Sequence, residues 1–352
     1  MRKRGEPRTM AELGALVGVS AATVSRAIAG SPLVNARTRE QILKLAQDRG
    51  YVVNAAARSL RLKRTETISV VIPLGHESSQ PLTDPFFVEI LGRLAEEITL
   101  RGYGMFLQKV LPPMADWLPR LIGAGRADGV IVIGQSTEHA TLNAAAKSYR
   151  PLVVWGTEVA GQIYCTVGSD NRAGAAAAMS HLVETGRKRI LFLGDPTIPE
   201  IGRRYAGYRG ALKAAGLAAQ HEVPAHLTAE AAYQTVHDLA AGSARFDAIF
   251  AASDVIAISA IRGLTDAGRS VPRDVAVVGF DGIAMAAHTN PPLTTVRQNL
   301  EQGAKLLVEL VFRRIAGEKT PSVVMPTQLI VRESSAAIGN TQRRAKKPAA
   351  RR

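Results

Sequence analysis

The sequence predicts an α/β protein in which a small all-helical head precedes a core of two doubly wound parallel sheets. Three observations predict it. The 352-residue chain is too long for one ordinary core. From residue 68 onward, short runs of Val, Ile and Leu alternate with amphipathic stretches. That is the pattern of parallel strands covered on both faces by crossover helices. Residues 9–50 have no such runs and read as three short helices separated by glycine-containing breaks.

In the first helix Leu13, Leu16 and Val17 fall on one face, and Gly18 ends it. Ser20 is placed to cap the second, which turns Val24, Ala27 and Ile28 inward. Asn35 is placed to cap the third, with Ile42, Leu45 and Ala46 inward and Gly50 at its end. Two helices joined by a tight glycine turn, with a third closing the core, make a helix-turn-helix unit. Residues 51–65, YVVNAAARSLRLKRT, hold helix formers and four basic residues but few apolar partners. So short a helix is marginal in water, so the stretch reads as a linker that becomes helical when something supports it.

Strands are expected at 68–73, 105–110, 129–134, 152–156, 189–194, 247–252 and 275–280, and helices at 86–101, 171–185, 203–215, 254–267 and 299–316. The reading divides the chain into a head (1–52), a hinge (53–65), a two-lobed core (66–338) and a basic, disordered tail (339–352). The first lobe takes about 66–165 and 297–328, the second about 166–296 and 329–338. Ligands in such folds bind in a cleft beyond the carboxyl ends of the strands.

Charge points to a partner. The formal net charge is +14. Residues 1–64 carry 13 basic and 4 acidic side chains, residues 339–352 carry 6 and 0, and the long middle is near neutral. Positive charge gathered on a small end domain fits nucleic acid. In the second helix, within VSAATVSRAIAG, Ala21, Ala22, Ser25 and Arg26 are read as the outer side. Short side chains allow close approach to base edges, a methyl group fits the thymine methyl, and arginine pairs bidentately with guanine. The Thr23 and Ser25 hydroxyls and the first N–H groups suit phosphate contacts.

These residues carry a resemblance. TMAELGALVGVSAATVSRAIAGSPLVNARTREQILKLAQDRGYVVNAAARSLRLKRT resembles the DNA-binding head and hinge of lactose-repressor-family (LacI/GalR) transcription factors. DPFFVEILGRLAEEITLRGY, DGVIVIG, VGSDNRAG, RYAGYRGAL, VVGFDG and NPPLTTVRQ are similar to that family's regulatory core, in the family's order. The resemblance covers about residues 8–338. It implies a core of periplasmic-binding-protein type and a cytoplasmic, nucleoid-associated homodimer on palindromic operator DNA. The implied DNA contacts are Ser20, Ala21, Ala22, Thr23, Ser25, Arg26 and Asn35 in the head and Asn54, Ala57 and Leu60 in the hinge. Leu60 matches a leucine that wedges between bases, as an apolar side chain on a basic helix does when it kinks DNA. The implied effector contacts are Phe86, Phe87, Trp155, Arg204, Ser253 and Asp281. Arginine and aspartate suit a mono- or disaccharide, whereas a planar purine lacks one stacking wall where His226 and Leu227 stand.

Other chemistry finds little support. There is no phosphate-binding GxxxxGK[ST], no GxSxG elbow, and GAGRADG has the wrong glycine spacing for a dinucleotide. Neither an enzyme, a cofactor nor a metal is therefore expected. The single cysteine, Cys165, forms no intrachain disulfide, and no Cys/His cluster has zinc spacing. No apolar run reaches the length of a membrane span, and the charged N-terminus is followed by no apolar leader, so a soluble cytoplasmic protein without a membrane partner is expected. The alternatives are a sugar receptor of periplasmic type and a sequence-neutral DNA-compacting protein.

Overall fold

The structure, a computed structural model, describes residues 9–28, 30–49, 51, 64–75, 78–110, 116–218, 223, 228–242 and 244–336. The chain falls into two compact units, Met1–Thr65 and Glu66–Arg352.

The first unit contains α1 (Met10–Val17), α2 (Ala21–Ile28) and α3 (Ala36–Asp48). Leu13, Val24 and Ile42 are fully buried and meet Ala27, Val34 and Ala46 in one small core. Each large side chain so buried contributes ~1.5–3 kcal/mol. Leu16 departs from expectation. It is 54% exposed, because the short α1 buries mainly Leu13 and Gly14 against its neighbours. Gly14 permits the tight α1–α2 approach: a Cβ there would stand 2.5 Å from the Val19 carbonyl oxygen. Gly18 ends α1 in the left-handed conformation at φ 72°.

In the second unit, β1 (Thr67–Pro73), β2 (Gly104–Val110), β3 (Gly129–Ile133), β4 (Leu152–Trp155), β5 (Cys165–Ser169) and β10 (Val323–Met325) form the sheet of the first lobe. Their order is β10-β5-β4-β3-β1-β2, with every pairing parallel. It is covered by α4 (Pro85–Thr99), α5 (Trp117–Gly123), α6 (His139–Ala146) and α11 (Leu300–Ile315). The sheet of the second lobe has the order β11-β9-β8-β7-β6. It joins β6 (Ile190–Leu193), β7 (Ala248–Ala251), β8 (Ala276–Asp281), β9 (Thr294–Arg297) and β11 (Gln328–Ile330), the last antiparallel to β9. Helices α7 (Asn171–Glu184), α8 (Pro199–Ala214), α9 (Ala229–Ala241) and α10 (Asp254–Asp266) pack on it.

Local chemistry explains the main elements. Asp84 caps α4, accepting from Phe86 N, and Pro85 begins the helix. Phe87, Ile90, Leu94 and Ile98 then bury one stripe at helical spacing. Strands β3, β4, β6, β7 and β8 are buried along their whole length, as parallel strands between helices require.

The chain passes between lobes three times, after β5, after β9 and after β10. The expected boundary at residue 165 is therefore too early: β5 extends the first lobe to Ser169, since Val167 pairs with both Trp155 and Val323. The later boundary also shifts, as Gln328 belongs to the second sheet. No single helix among the described residues is long and apolar enough to cross a membrane.

Candidate functional site

The core carries a cleft between its lobes, lined by residues of both. All six residues expected there line it: Phe86, Phe87, Trp155, Arg204, Ser253 and Asp281. The first lobe supplies an aromatic wall. Phe86 and Phe87 meet edge to face at 5.7 Å, and Phe86 stands 6.3 Å from Trp155. Phe87 and Trp155 also belong to the core of the first lobe, so they serve packing and lining together.

The second lobe supplies the polar wall. Arg204, on α8, is 7% exposed, and its Nε donates to Asn171 Oδ1 at 2.8 Å. Its Nη1 donates to the Ala252 carbonyl and lies 3.5 Å from Asp281 Oδ1. The guanidinium carbon sits 3.8 Å above the Phe280 ring, a cation–π contact. The buried cation thus has partners on every side, without which it would not remain charged. Asp281 ends β8 at φ 125°, a conformation unfavourable for a residue with a side chain. It is held there by Gln298, whose backbone N–H and side-chain amide donate to its carbonyl and carboxylate.

Asp254 supports that turn from behind. Its Oδ2 accepts from Gly282 N at 2.8 Å and Ile283 N at 2.9 Å, and its Oδ1 from Thr295 Oγ1 at 2.6 Å. Gly279 leaves room for this carboxylate, which a Cβ there would strike. Burial and the neighbouring charge of Asp281 push the Asp254 carboxyl up to about 8. Burial also pushes Asp281 up, to about 7, against the pull of Arg204. Ser253 caps α10 by accepting from Ile256 N at 3.2 Å. A hydroxyl that accepts at a cap can still donate toward a ligand.

Sequence reasoning missed five polar residues of the cleft: Gln80, Asp84, Ser136, Glu200 and Gln298. Only Asp84 had a local signal, as a helix cap before proline.

In the head, Ser20 Oγ accepts from Thr23 N at 3.2 Å and lies 3.0 Å from Thr23 Oγ1. Ala21, Ala22 and Arg26 are exposed, and Thr23 is half-buried. Ser25 corrects the sequence reading. It is 8% exposed and does not lie on the outer side. A helix advances ~100° per residue, so Ser25 falls at the margin of the arc buried around Val24 and Ile28, whereas Arg26 points opposite Val24. Asn35 Oδ1 accepts from Thr38 N at 2.8 Å and so caps α3. Asn54, Ala57 and Leu60, like His226 and Leu227, lie outside the described residues.

Residues 9–54 match the family described as bacterial regulatory proteins, lacI family, and residues 179–335 match the periplasmic binding protein-like domain. The HTH-type transcriptional regulator CelR of Thermobifida fusca is 34% identical over 348 residues, covering 95% of this chain and 100% of that protein.

The chain belongs to the LacI family of bacterial transcriptional regulators.

The structure of a CelR–cellobiose complex matches at 31% identity with a TM-score of 0.68, over 93% of this chain and 100% of that one. The lac repressor dimer bound to operator and an anti-inducer matches with a TM-score of 0.84 at 22% identity, over 94% and 100%, which supports the LacI fold. A helix-turn-helix head and a cleft-bearing core on one chain are thus the two working parts of a LacI-family regulator.

Proposed function

We propose that the protein is a homodimeric repressor that binds a palindromic operator and is controlled by a sugar held between the lobes. One observation carries this reading. The cleft joins an aromatic wall, Phe86 and Trp155, to an arginine–aspartate pair, Arg204 and Asp281, on a chain that begins with a basic helix-turn-helix head. Aromatic faces suit the apolar faces of pyranose rings, and carboxylate and guanidinium groups suit their hydroxyls. The relative crystallised with cellobiose supports the same ligand class.

In the head, Ala21, Ala22 and Arg26 would meet base edges in the major groove, with Ser20, Thr23 and the α3 end at Asn35 near phosphates. The hinge residues Asn54, Ala57 and Leu60 would enter the minor groove at the operator centre. Two-fold pairing has a surface to use. Val88 on α4 and Phe106 and Leu107 on edge strand β2 are 56%, 40% and 37% exposed, and Met285 adds a 57% exposed apolar side chain on the second lobe. The regulator would work in the cytoplasm, on the nucleoid, without a cofactor or catalytic activity.

Control would be by population shift. A sugar touching both lobes favours one angle between them, and operator affinity changes by linkage. Binding-site selection with the full-length protein, followed by operator titration with and without sugars, tests this. We expect enrichment of one palindrome and a sugar-dependent change in affinity. Equal binding to all DNA would favour a compacting protein, and sugar binding without DNA binding would favour a receptor.

A further inference from the structure

We propose that Gln80 and Asp84 form a polar subsite on the first lobe that takes a hydroxyl group of an uncharged sugar, in a cleft that discriminates against phosphorylated sugars. This rests on the sugar reading above and specifies which sugars fit.

Gln80 lies in the loop between β1 and α4, lines the cleft, and is 6% exposed. Its side-chain nitrogen donates to Asp84 Oδ2 at 3.0 Å. Asp84 Oδ1 in turn accepts from Phe86 N at 2.9 Å, at the start of α4. Only the amide nitrogen can donate to a carboxylate, so this contact fixes which end of the Gln80 amide faces Asp84. The other end, Oε1, is buried and has no hydrogen-bond partner among the described residues. An unsatisfied buried carbonyl oxygen is costly, and a donor brought by a ligand removes that cost. The loop is held in place from outside the cleft, where Lys109 Nζ donates to the Ser78 and Gln80 carbonyls at 3.3 and 3.0 Å.

The charge balance of the lining selects among sugars. Among the described residues its ionisable groups are Asp84, Glu200, Asp281 and Arg204. Arg204 is already engaged by Asn171, the Ala252 carbonyl and Asp281. Among the described lining residues a phosphate dianion would face three carboxylic groups and no cation that is not already paired, an arrangement that disfavours it. A hydroxyl instead donates to Gln80 Oε1 or to a carboxylate and brings no charge to be repelled. The reaction that supplies the effector therefore leaves the sugar unphosphorylated.

The test is isothermal titration of the full-length protein with cellobiose, maltose, glucose and ribose, and with cellobiose 6-phosphate, maltose 6-phosphate, glucose 6-phosphate and ribose 5-phosphate. We expect at least one neutral sugar to bind, and its phosphate to bind at least about tenfold more weakly. Gln80→Met, which keeps the side-chain length, should weaken the neutral sugar about tenfold, as loss of one buried hydrogen bond does. Gln80→Leu guards against a variant that fails to fold, with melting curves for both. A phosphorylated sugar that binds as tightly as its neutral partner, or folded Gln80 variants with undiminished affinity, would overturn the subsite while leaving the sugar reading in place. Binding of none of the eight probes would overturn both.

Discussion

Glu200 of the second lobe accepts a hydrogen bond from the backbone N–H of Gln135 on the first, at 3.2 Å. Gln135 continues the contact into its own lobe, donating to Tyr164 Oη at 2.8 Å and accepting from Thr157 N at 2.9 Å. A second bridge runs beside it, from Arg203 Nη2 to the Glu158 carbonyl at 2.8 Å. The lobes are therefore tied by hydrogen bonds at the rim of the cleft as well as by the chain itself.

Removing the first tie should loosen the rim. In Glu200→Ala, amide exchange at Gln135 should accelerate about tenfold, the factor that one net hydrogen bond supplies. Hydrogen-exchange mass spectrometry over the peptide containing Gln135 reads this directly. Unchanged protection there would show that the bridge does not restrain the lobes.

Arg26 is the long donor among the exposed residues of α2. Arg26→Ala should cost about 1–3 kcal/mol at the operator and relax preference at one base position. Repeating the binding-site selection with the variant checks both effects. An unaltered consensus would remove Arg26 from base readout.

The buried carboxyl pair behind the cleft links stability to pH. An unfolded aspartate titrates near ~4, whereas Asp254 and Asp281 are raised to about 8 and about 7. Between those values the folded state binds more protons than the unfolded one. Their contribution is complete below the unfolded value and is lost as pH rises through the folded values. The core should thus melt at a lower temperature at pH 8 than at pH 5.5. Asp254→Asn should flatten that slope, because an amide accepts from Gly282 and Ile283 without titrating. Thermal melts of both proteins across this range decide it, and parallel slopes would place the linkage elsewhere.

Gly14 leaves no space for a methyl group between α1 and α2. A Cβ would lie 2.5 Å from the Val19 carbonyl oxygen and 3.3 Å from a Val24 methyl. Gly14→Ala should therefore destabilise the head by about 1–3 kcal/mol, the range for overpacking. Amide exchange in α2, followed by NMR, measures this, and wild-type protection factors would refute it.

Much of the fold was legible because long elements have strong periodicity. The stripe Phe87, Ile90, Leu94 and Ile98 and the buried runs of β1 and β3 are such cases. Strands β5, β9, β10 and β11 were not, since sequences such as CTVGS and TTVR are short and mix small polar with apolar residues. Helices α5 and α6 are only seven and eight residues long, and the stripe of α9, Ala232, Val236 and Ala240, is built mostly of alanine, a weak apolar signal. In the head, the caps at Ser20 and Asn35 were readable from their side-chain chemistry, but Ser25 and Leu16 were not. A residue's side of a two-turn helix depends on how wide an arc its neighbours cover. Resemblance placed Arg204 and Asp281 in one cleft, whereas Gln80 and Glu200 stand alone in their local sequence. Their role arises only when residues far apart in sequence, such as Gln135 and Glu200, come together.

The three passages between lobes also govern how the molecule is born. Helix α11 and strand β10, which complete the first lobe, end at Ile315 and Met325 of a 352-residue chain. During synthesis β1 through β5 must wait for them while the whole second lobe is made. Neither lobe is a contiguous stretch of polypeptide, so a truncated transcript yields no half-regulator with a finished core. The cleft and its sensing surface mature together, once the returning segments have been made.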